Sequence, residues 1–102
     1  MRKHAKKDRN HAEIIAALRA AGASVADTAA LGSGFPDIVV GFRGKNHLME
    51  IKDGFLCKSR KLLTDDEKNF VTFWRGKYSV VENVNQALKV IGAIKPTKEI
   101  IK

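Results

Sequence analysis

The chain has one cysteine, no apolar run near the ~20 residues that a bilayer-spanning helix requires, and too few acidic residues to balance its basic ones. A lone thiol, Cys57, excludes an internal disulfide and reads as incidental. The basic start Met1-Arg2-Lys3-His4 has no apolar core behind it, so it does not read as a secretory signal, and the expected location is cytoplasmic, that of a bacterial host if the chain is phage-encoded. Zinc-ligand spacing, a phosphate-cradling Gly-Lys-Ser loop and a Ser-His-Asp arrangement are all missing. No repeat, low-complexity stretch or linker divides the 102 residues, which read as one small domain with little stability to spare. Hydrophobic residues at 44% mark the chain as globular rather than disordered.

What the chain has in excess is positive charge. Nineteen Lys and Arg against eleven Asp and Glu give a net charge of +8 and a pI near 9.9, and the excess is clustered. Arg2, Lys3, Lys6, Lys7 and Arg9 crowd the start, and Lys58, Arg60 and Lys61 follow residue 57. Such runs are commonly a solubilising surface. Beside a site that handles phosphodiesters they read instead as phosphate contacts, with binding that weakens steeply as salt rises.

The stretch Gly34-Phe35-Pro36-Asp37-Ile38-Val39-Val40-Gly41 is followed after a short turn by Leu48-Met49-Glu50-Ile51-Lys52. If Arg43-Gly44 form a two-residue turn, Phe42 pairs with Lys45 and Asp37 falls opposite Glu50. Lys52, two residues beyond Glu50, projects from the same face. The flanking residues are apolar and largely β-branched, so both strands should be buried, and two neighbouring carboxylates there would repel unless a cation sat between them. Mg²⁺ suits such a place, because it takes oxygen ligands and keeps several waters; Mn²⁺ should substitute. Asp37 and Glu50 are the candidate ligands. Lys52 would orient or deprotonate a water, and the bland alternative is a structural salt bridge between Lys52 and one carboxylate.

Pro36-Asp37 followed by Glu50-Ile51-Lys52 spells the pattern of the PD-(D/E)XK nuclease superfamily. The order of the surrounding features resembles its VRR-NUC family over roughly residues 8 to 92. Those features are Asn10-His11-Ala12-Glu13 opening a helix, Gly32-Ser33-Gly34 leading into Pro-Asp, Leu62-Leu63-Thr64-Asp65-Asp66-Glu67 starting a second helix, and Val80-Val81-Glu82-Asn83-Val84 near the end. The resemblance implies a restriction-endonuclease-like αβββαβ core with a mixed sheet, and catalysis by Asp37, Glu50 and Lys52. It implies metal binding by Asp37, Glu50, the Ile51 carbonyl and Glu13; the alternative for Glu13 is a first-turn glutamate favoured by the helix dipole. Nucleic-acid contacts are expected from Lys6, Lys7, Arg9, Ser33, Lys58, Arg60 and Lys61. Glu67 departs from the pattern, which often carries glutamine there. An ionised glutamate cannot donate a hydrogen bond, so Glu67 is either an extra acceptor on the metal side or a capping residue, and the cap is the reading taken.

The spacing predicts a helix from Asp8 to Ala21 with Ile14, Ile15, Leu18 and Ala21 in one buried stripe, stopped by Gly22. It predicts strands at Val25–Thr28, 35–42 and 46–52, a helix capped by a Thr64/Glu67 box and running to about Arg75, a strand at Lys77–Val81, and a last helix from Asn83 to Ile91 stopped by Gly92. Residues 93–102, with Pro96, alternate charged and apolar. His47 has the opposite parity to Glu50 and should point away from the site, His4 lies in the basic tail, and His11 reads as an exposed helix residue. Phe70, Phe73 and Trp74 fall at helical spacing and read as core or subunit contact rather than a base-stacking platform. The expected function is a Mg²⁺-dependent DNA endonuclease, homodimeric and acting on branched DNA such as four-way junctions. The alternatives are a catalytically silent DNA-binding module and an RNA endonuclease of the same fold.

Overall fold

Arg43 and Gly44 both have positive φ, 51° and 80°, the requirement of a two-residue hairpin turn whose twist matches its strands. In this computed structural model, which describes residues 9–53 and 62–95, that turn joins β2 (Ile38–Phe42) to β3 (Lys45–Ile51). Phe42 lies opposite Lys45 and Ile38 opposite Met49, the register expected from the turn. The readings on Lys6, Lys7, Cys57, Lys58, Arg60, Lys61 and Pro96 lie outside the described residues.

On the other edge of β2, β1 (Ser24–Asp27) pairs antiparallel, and β4 (Tyr78–Val81) lies parallel to β3 with Leu48 beside Tyr78 and Ile51 beside Val81. The result is an α/β domain with a four-stranded mixed sheet in the order β1-β2-β3-β4. Three α-helices accompany it among the described residues: α1 (His11–Ala20), α2 (Asp65–Phe73) and α3 (Val84–Ile91). None is long and apolar enough to cross a membrane.

Side chains alternate across the sheet, so the hairpin register decides what each face carries. One face presents Ile38, Val40, Met49, Ile51 and Val81, all 0–2% exposed, and packs against Ile14, Leu18, Ala87 and Ile91 of α1 and α3. Each such side chain contributes roughly 1.5–3 kcal/mol on burial, which makes this face the source of stability. The opposite face carries Leu48 and Glu50 of β3, Lys52 just beyond it and Tyr78 of β4, and α2 meets it through Phe70, whose ring lies 5.9 Å from that of Tyr78.

Local signals explain the helix ends. Thr64 and Glu67 form a reciprocal capping box at α2, the Asn83 side chain accepts from the Gln86 N–H at α3, and Gly92 stops α3. Asn10 instead ties α1 to the sheet, its Nδ2 donating to the carbonyls of Glu82 at 2.6 Å and Lys52 at 3.3 Å.

Several expectations are corrected. Helix α1 begins at His11, and Ala21 is exposed at its C-cap rather than part of the buried stripe. His11 is buried, not exposed: α1 packs along β1, and Asp27 Oδ1 lies 3.2 Å from the imidazole Nε2. Helix α2 ends at Phe73 rather than Arg75, because Trp74 turns extended at ψ 129° and stacks back on Phe70 at 5.2 Å. Phe73 is 78% exposed and Trp74 42%, so neither fills the core. His47 is buried beside Val40 on the face away from Glu50, as its parity requires.

Gly34 and Gly44 differ in a way that can be measured. Both have positive φ, but a Cβ at Gly34 would meet Asp66 O at 2.2 Å, whereas nothing lies within 4 Å of one at Gly44. Gly44→Ala should cost about 1 kcal/mol from backbone strain alone. Gly34→Ala should cost clearly more in a urea titration, because the loop must also leave α2; equal costs would show that the loop does not pack there.

Candidate active site

The site is assembled from the ends of three strands. Pro36 is fully buried, and the end of β1 holds the backbone behind it: the Thr28 hydroxyl donates to Pro36 O at 2.7 Å and the Thr28 N–H donates to Asp37 O at 2.8 Å. Asp37 follows one residue before β2 begins. Its Oδ2 accepts the Ile51 N–H at 2.8 Å, which locks its carboxylate against β3 beside Glu50. Glu50 of β3 and Lys52, the residue after the strand, lie on one face, and the Lys52 N–H donates to Val81 O at 2.9 Å, joining the end of β3 to β4.

Lys52 Nζ lies 3.1 Å from Glu67 Oε1 and 3.6 Å from Glu50 Oε2. Glu67 is therefore the capping residue that the sequence reading took it for, and also a partner of Lys52. Its Oε1 accepts both the Thr64 N–H and Lys52 Nζ, so one oxygen ends the helix and reaches the site. The ion pair of the bland alternative is present, but with Glu67 as the nearer partner.

Glu50 is 3% exposed, and its Oε1 is buried without a hydrogen-bond donor among the described residues. Burial, then the adjoining Glu67 carboxyl and the charge of Asp37, push its pKa from 4.5 up to about 9, against the opposing pull of Lys52. For Glu67, burial acts upward, yet hydrogen bonds from the Glu50 carboxyl, the Thr64 amide and Lys52 outweigh it and hold the group low. The two neighbouring carboxyls thus shift in opposite directions, Glu50 upward and Glu67 downward.

Tyr78 belongs to the same cluster and was missed from sequence, where β4 read only as a strand. Its buried hydroxyl has no partner among the described residues, and burial together with Glu50, Glu67 and Asp37 raises its pKa. The signal was the parallel register beside Leu48, which no single sequence displays.

Other candidates are not brought to this cluster. Glu13 is exposed on α1, on the far side of the sheet, and lines a hollow with Arg9, Asn10, Asp53, Glu82 and Lys89. Arg9 is bound to the buried Asp53, Nε to Oδ2 at 2.6 Å. Ser33 is exposed beside α2, near Asp66 and Phe73. Among the described residues no three His, Cys, Asp or Glu side chains form a metal-binding group. Asp37 and Glu50 remain as a two-carboxylate set, the donor number Mg²⁺ accepts when water and phosphate complete its shell. The donor-less Glu50 Oε1 fits that assignment.

The raised Glu50 pKa carries a stability consequence with a defined sign. A carboxyl neutral in the folded protein and ionised when unfolded stabilises fully below pH 4.5 and loses that contribution as pH rises toward about 9. In chelator-treated protein, the urea midpoint of wild type should fall between pH 6 and pH 9 relative to that of Glu50→Gln, which has no such proton to lose. His47, lowered by burial and by Lys77 and Lys45, titrates in both proteins and cancels. Parallel pH profiles for the two proteins would refute the assignment.

No family model matches this chain, and no curated protein and no solved structure is significantly similar to it.

Proposed function

We propose that the protein is a metal-dependent nuclease that hydrolyses phosphodiester bonds in DNA, with Asp37, Glu50 and Lys52 as its working groups. One observation carries the reading: Asp37, one residue before β2, and Glu50 of the adjoining β3 place their carboxylates on one face of the sheet, where Glu50 is buried with one oxygen lacking a donor among the described residues and Lys52 Nζ lies 3.6 Å from the other. A hydrophobic sheet gains nothing in stability from this arrangement, since burying carboxylates without full pairing is costly. Perturbed groups clustered in this way mark functional sites more often than structural ones. The strand–turn–strand carrying Pro36-Asp37 and Glu50-Ile51-Lys52, and the element order α, three strands, α, β, also resemble the VRR-NUC type of restriction-endonuclease-like core.

Asp37 Oδ1 and Glu50 Oε1 would hold the cation. In an extended strand the N–H and C=O of one residue leave on the same side, so the Ile51 carbonyl shares the edge where Asp37 accepts the Ile51 N–H, and it would serve as a third oxygen ligand to that cation. Bound Mg²⁺ supplies charge for the phosphoryl oxygens and lowers the pKa of the attacking water. Lys52, held by Glu67, orients that water and stabilises the charge growing on the phosphate. The water oxygen bonds to phosphorus as the bond to the 3′ oxygen breaks, leaving a 5′-phosphate and a 3′-hydroxyl. The basic chain recruits the polyanion. Two copies, as a homodimer, would cut opposing strands of a branched substrate in one encounter.

A cleavage assay on linear duplex, four-way junction and RNA, with Mg²⁺, Mn²⁺, Ca²⁺ or chelator, tests the reading. Mg²⁺ and Mn²⁺ should support cleavage, while Ca²⁺ should permit binding with little turnover. Asp37→Asn and Glu50→Gln should abolish cleavage with the fold intact, and Lys52→Ala should slow it by roughly 10²–10⁴-fold. Full activity in chelator would remove the metal mechanism. Folded wild type that binds every substrate and cuts none would make the protein a silent binding module.

A further inference from the structure

The C-terminal end of α2 departs from the usual construction of a small domain. Phe73 and Trp74 are adjacent, 78% and 42% exposed, and backed by Phe70, which stacks on Trp74 at 5.2 Å with 18° between the planes and meets Phe35 edge-on at 5.3 Å. Beside them opens a hollow of about 430 Å³ lined by Ser33, Asp66, Asn69, Phe70, Phe73 and Trp74. Half of the lining is aromatic and half polar. We propose that this hollow binds an unpaired nucleobase of the DNA substrate, stacked on Phe73 and Trp74; the ligand class rests on the nuclease reading.

Three features favour a base over a second copy of this chain. Taking about 150–250 Å² for a whole aromatic side chain, the exposed parts of Phe73 and Trp74 offer roughly 200–300 Å², far below the ~800 Å² per partner of a stable interface. A single flat heterocycle needs no more. The polar part of the lining suits a base edge, because the Asn69 amide and the Ser33 hydroxyl can donate and accept while Asp66 accepts from amino and imino groups. Paired bases in a duplex have no free face and no free Watson–Crick edge, so the occupant is unpaired. Lys68, Arg75 and Lys77, all exposed in the same segment, suit the phosphates on either side of that base.

The hollow also adjoins the carboxylate cluster. Asp66 lines it, and Glu67, the next residue, reaches Lys52 Nζ at 3.1 Å. Ser33 lines it too, and its neighbour Gly34 packs so closely on Asp66 that a Cβ there would lie 2.2 Å from the Asp66 carbonyl oxygen. The chain then passes through Pro36 to Asp37. A base seated here places its neighbouring phosphate toward Asp37, Glu50 and Lys52, which makes an unpaired nucleotide at a branch, flap or loop the preferred position of cleavage.

Trp74 is the chain's one tryptophan, so its fluorescence reports on this hollow alone. Short oligo(dT), titrated in chelator so that no cleavage occurs, should quench that emission saturably, whereas fully paired duplex should not. Phe73→Ala should weaken oligo(dT) binding by roughly 5- to 150-fold, the equivalent of ~1–3 kcal/mol per stacked base. Phe73→Leu, which keeps apolar surface but removes the ring, should weaken it similarly. Unchanged affinity in both variants would overturn the proposal. So would sedimentation showing a wild-type dimer that Phe73→Ala converts to monomer while oligo(dT) binding persists. Phe73-dependent quenching by a protein that cleaves nothing would support the base site and remove the nuclease reading; cleavage without such quenching would do the reverse.

Discussion

The hairpin register between β2 and β3 is the constraint on which everything else depends. Strand side chains repeat with a period of two, so a one-residue slip would turn one strand over against the other, taking either Ile38 and Val40 or Met49 and Ile51 away from α1 and α3 and bringing Val39, or Leu48 and Glu50, to the core side. The Arg43-Gly44 turn, with both residues at positive φ, sets that register. The apolar stripe under α1 and α3 and the carboxylate cluster beneath α2 are thus two consequences of one turn.

The two faces of the sheet do different work. The face under α1 and α3 is closely filled by aliphatic side chains and supplies most of the burial. The other face holds Asp37, Glu50, Lys52, Glu67 and Tyr78, where burial and like charge oppose each other so strongly that Glu50 keeps its proton near neutrality. A small domain has little free energy to spend on such a cluster, which gathers around the end of β3 from β4, α2 and the residues flanking β2 and β3.

Contacts at the edge of the cluster hold β3 in position. Asn10 bridges the ends of β3 and β4 from the start of α1, and Arg9 neutralises the buried Asp53 just beyond Lys52. Across the sheet, Glu67 links the first turn of α2 to Lys52, while Phe70 links its body to Phe35 and Tyr78. Helices α1 and α2 thus each reach the edge of the site through a polar residue near the helix start, where unsatisfied backbone groups call for partners.

The sequence by itself determined what depends on neighbours along the chain. The turn at Arg43-Gly44, the Thr64/Glu67 box, the Asn83 cap, the Gly92 stop and the opposition of Asp37 to Glu50 all rest on spacings of a few residues, where period and capping chemistry act. Only the tertiary structure decided how separate elements meet. Ile14, Ile15 and Leu18 showed that α1 has a buried side but not that β1 would cover His11 and give it Asp27. The capping box was legible in Glu67, but its reach to Lys52 depends on how α2 is set against the sheet. Tyr78 entered the cluster only through the parallel pairing of β4, and Glu13 was left apart because α1 lies on the face opposite to Glu50. Helical spacing made Phe70, Phe73 and Trp74 look alike, yet Phe70 became packed while Phe73 stayed in solvent. Periodicity fixes the direction of a side chain relative to its own element, whereas burial and pairing depend on contacts far apart in sequence, which one chain of letters does not encode locally.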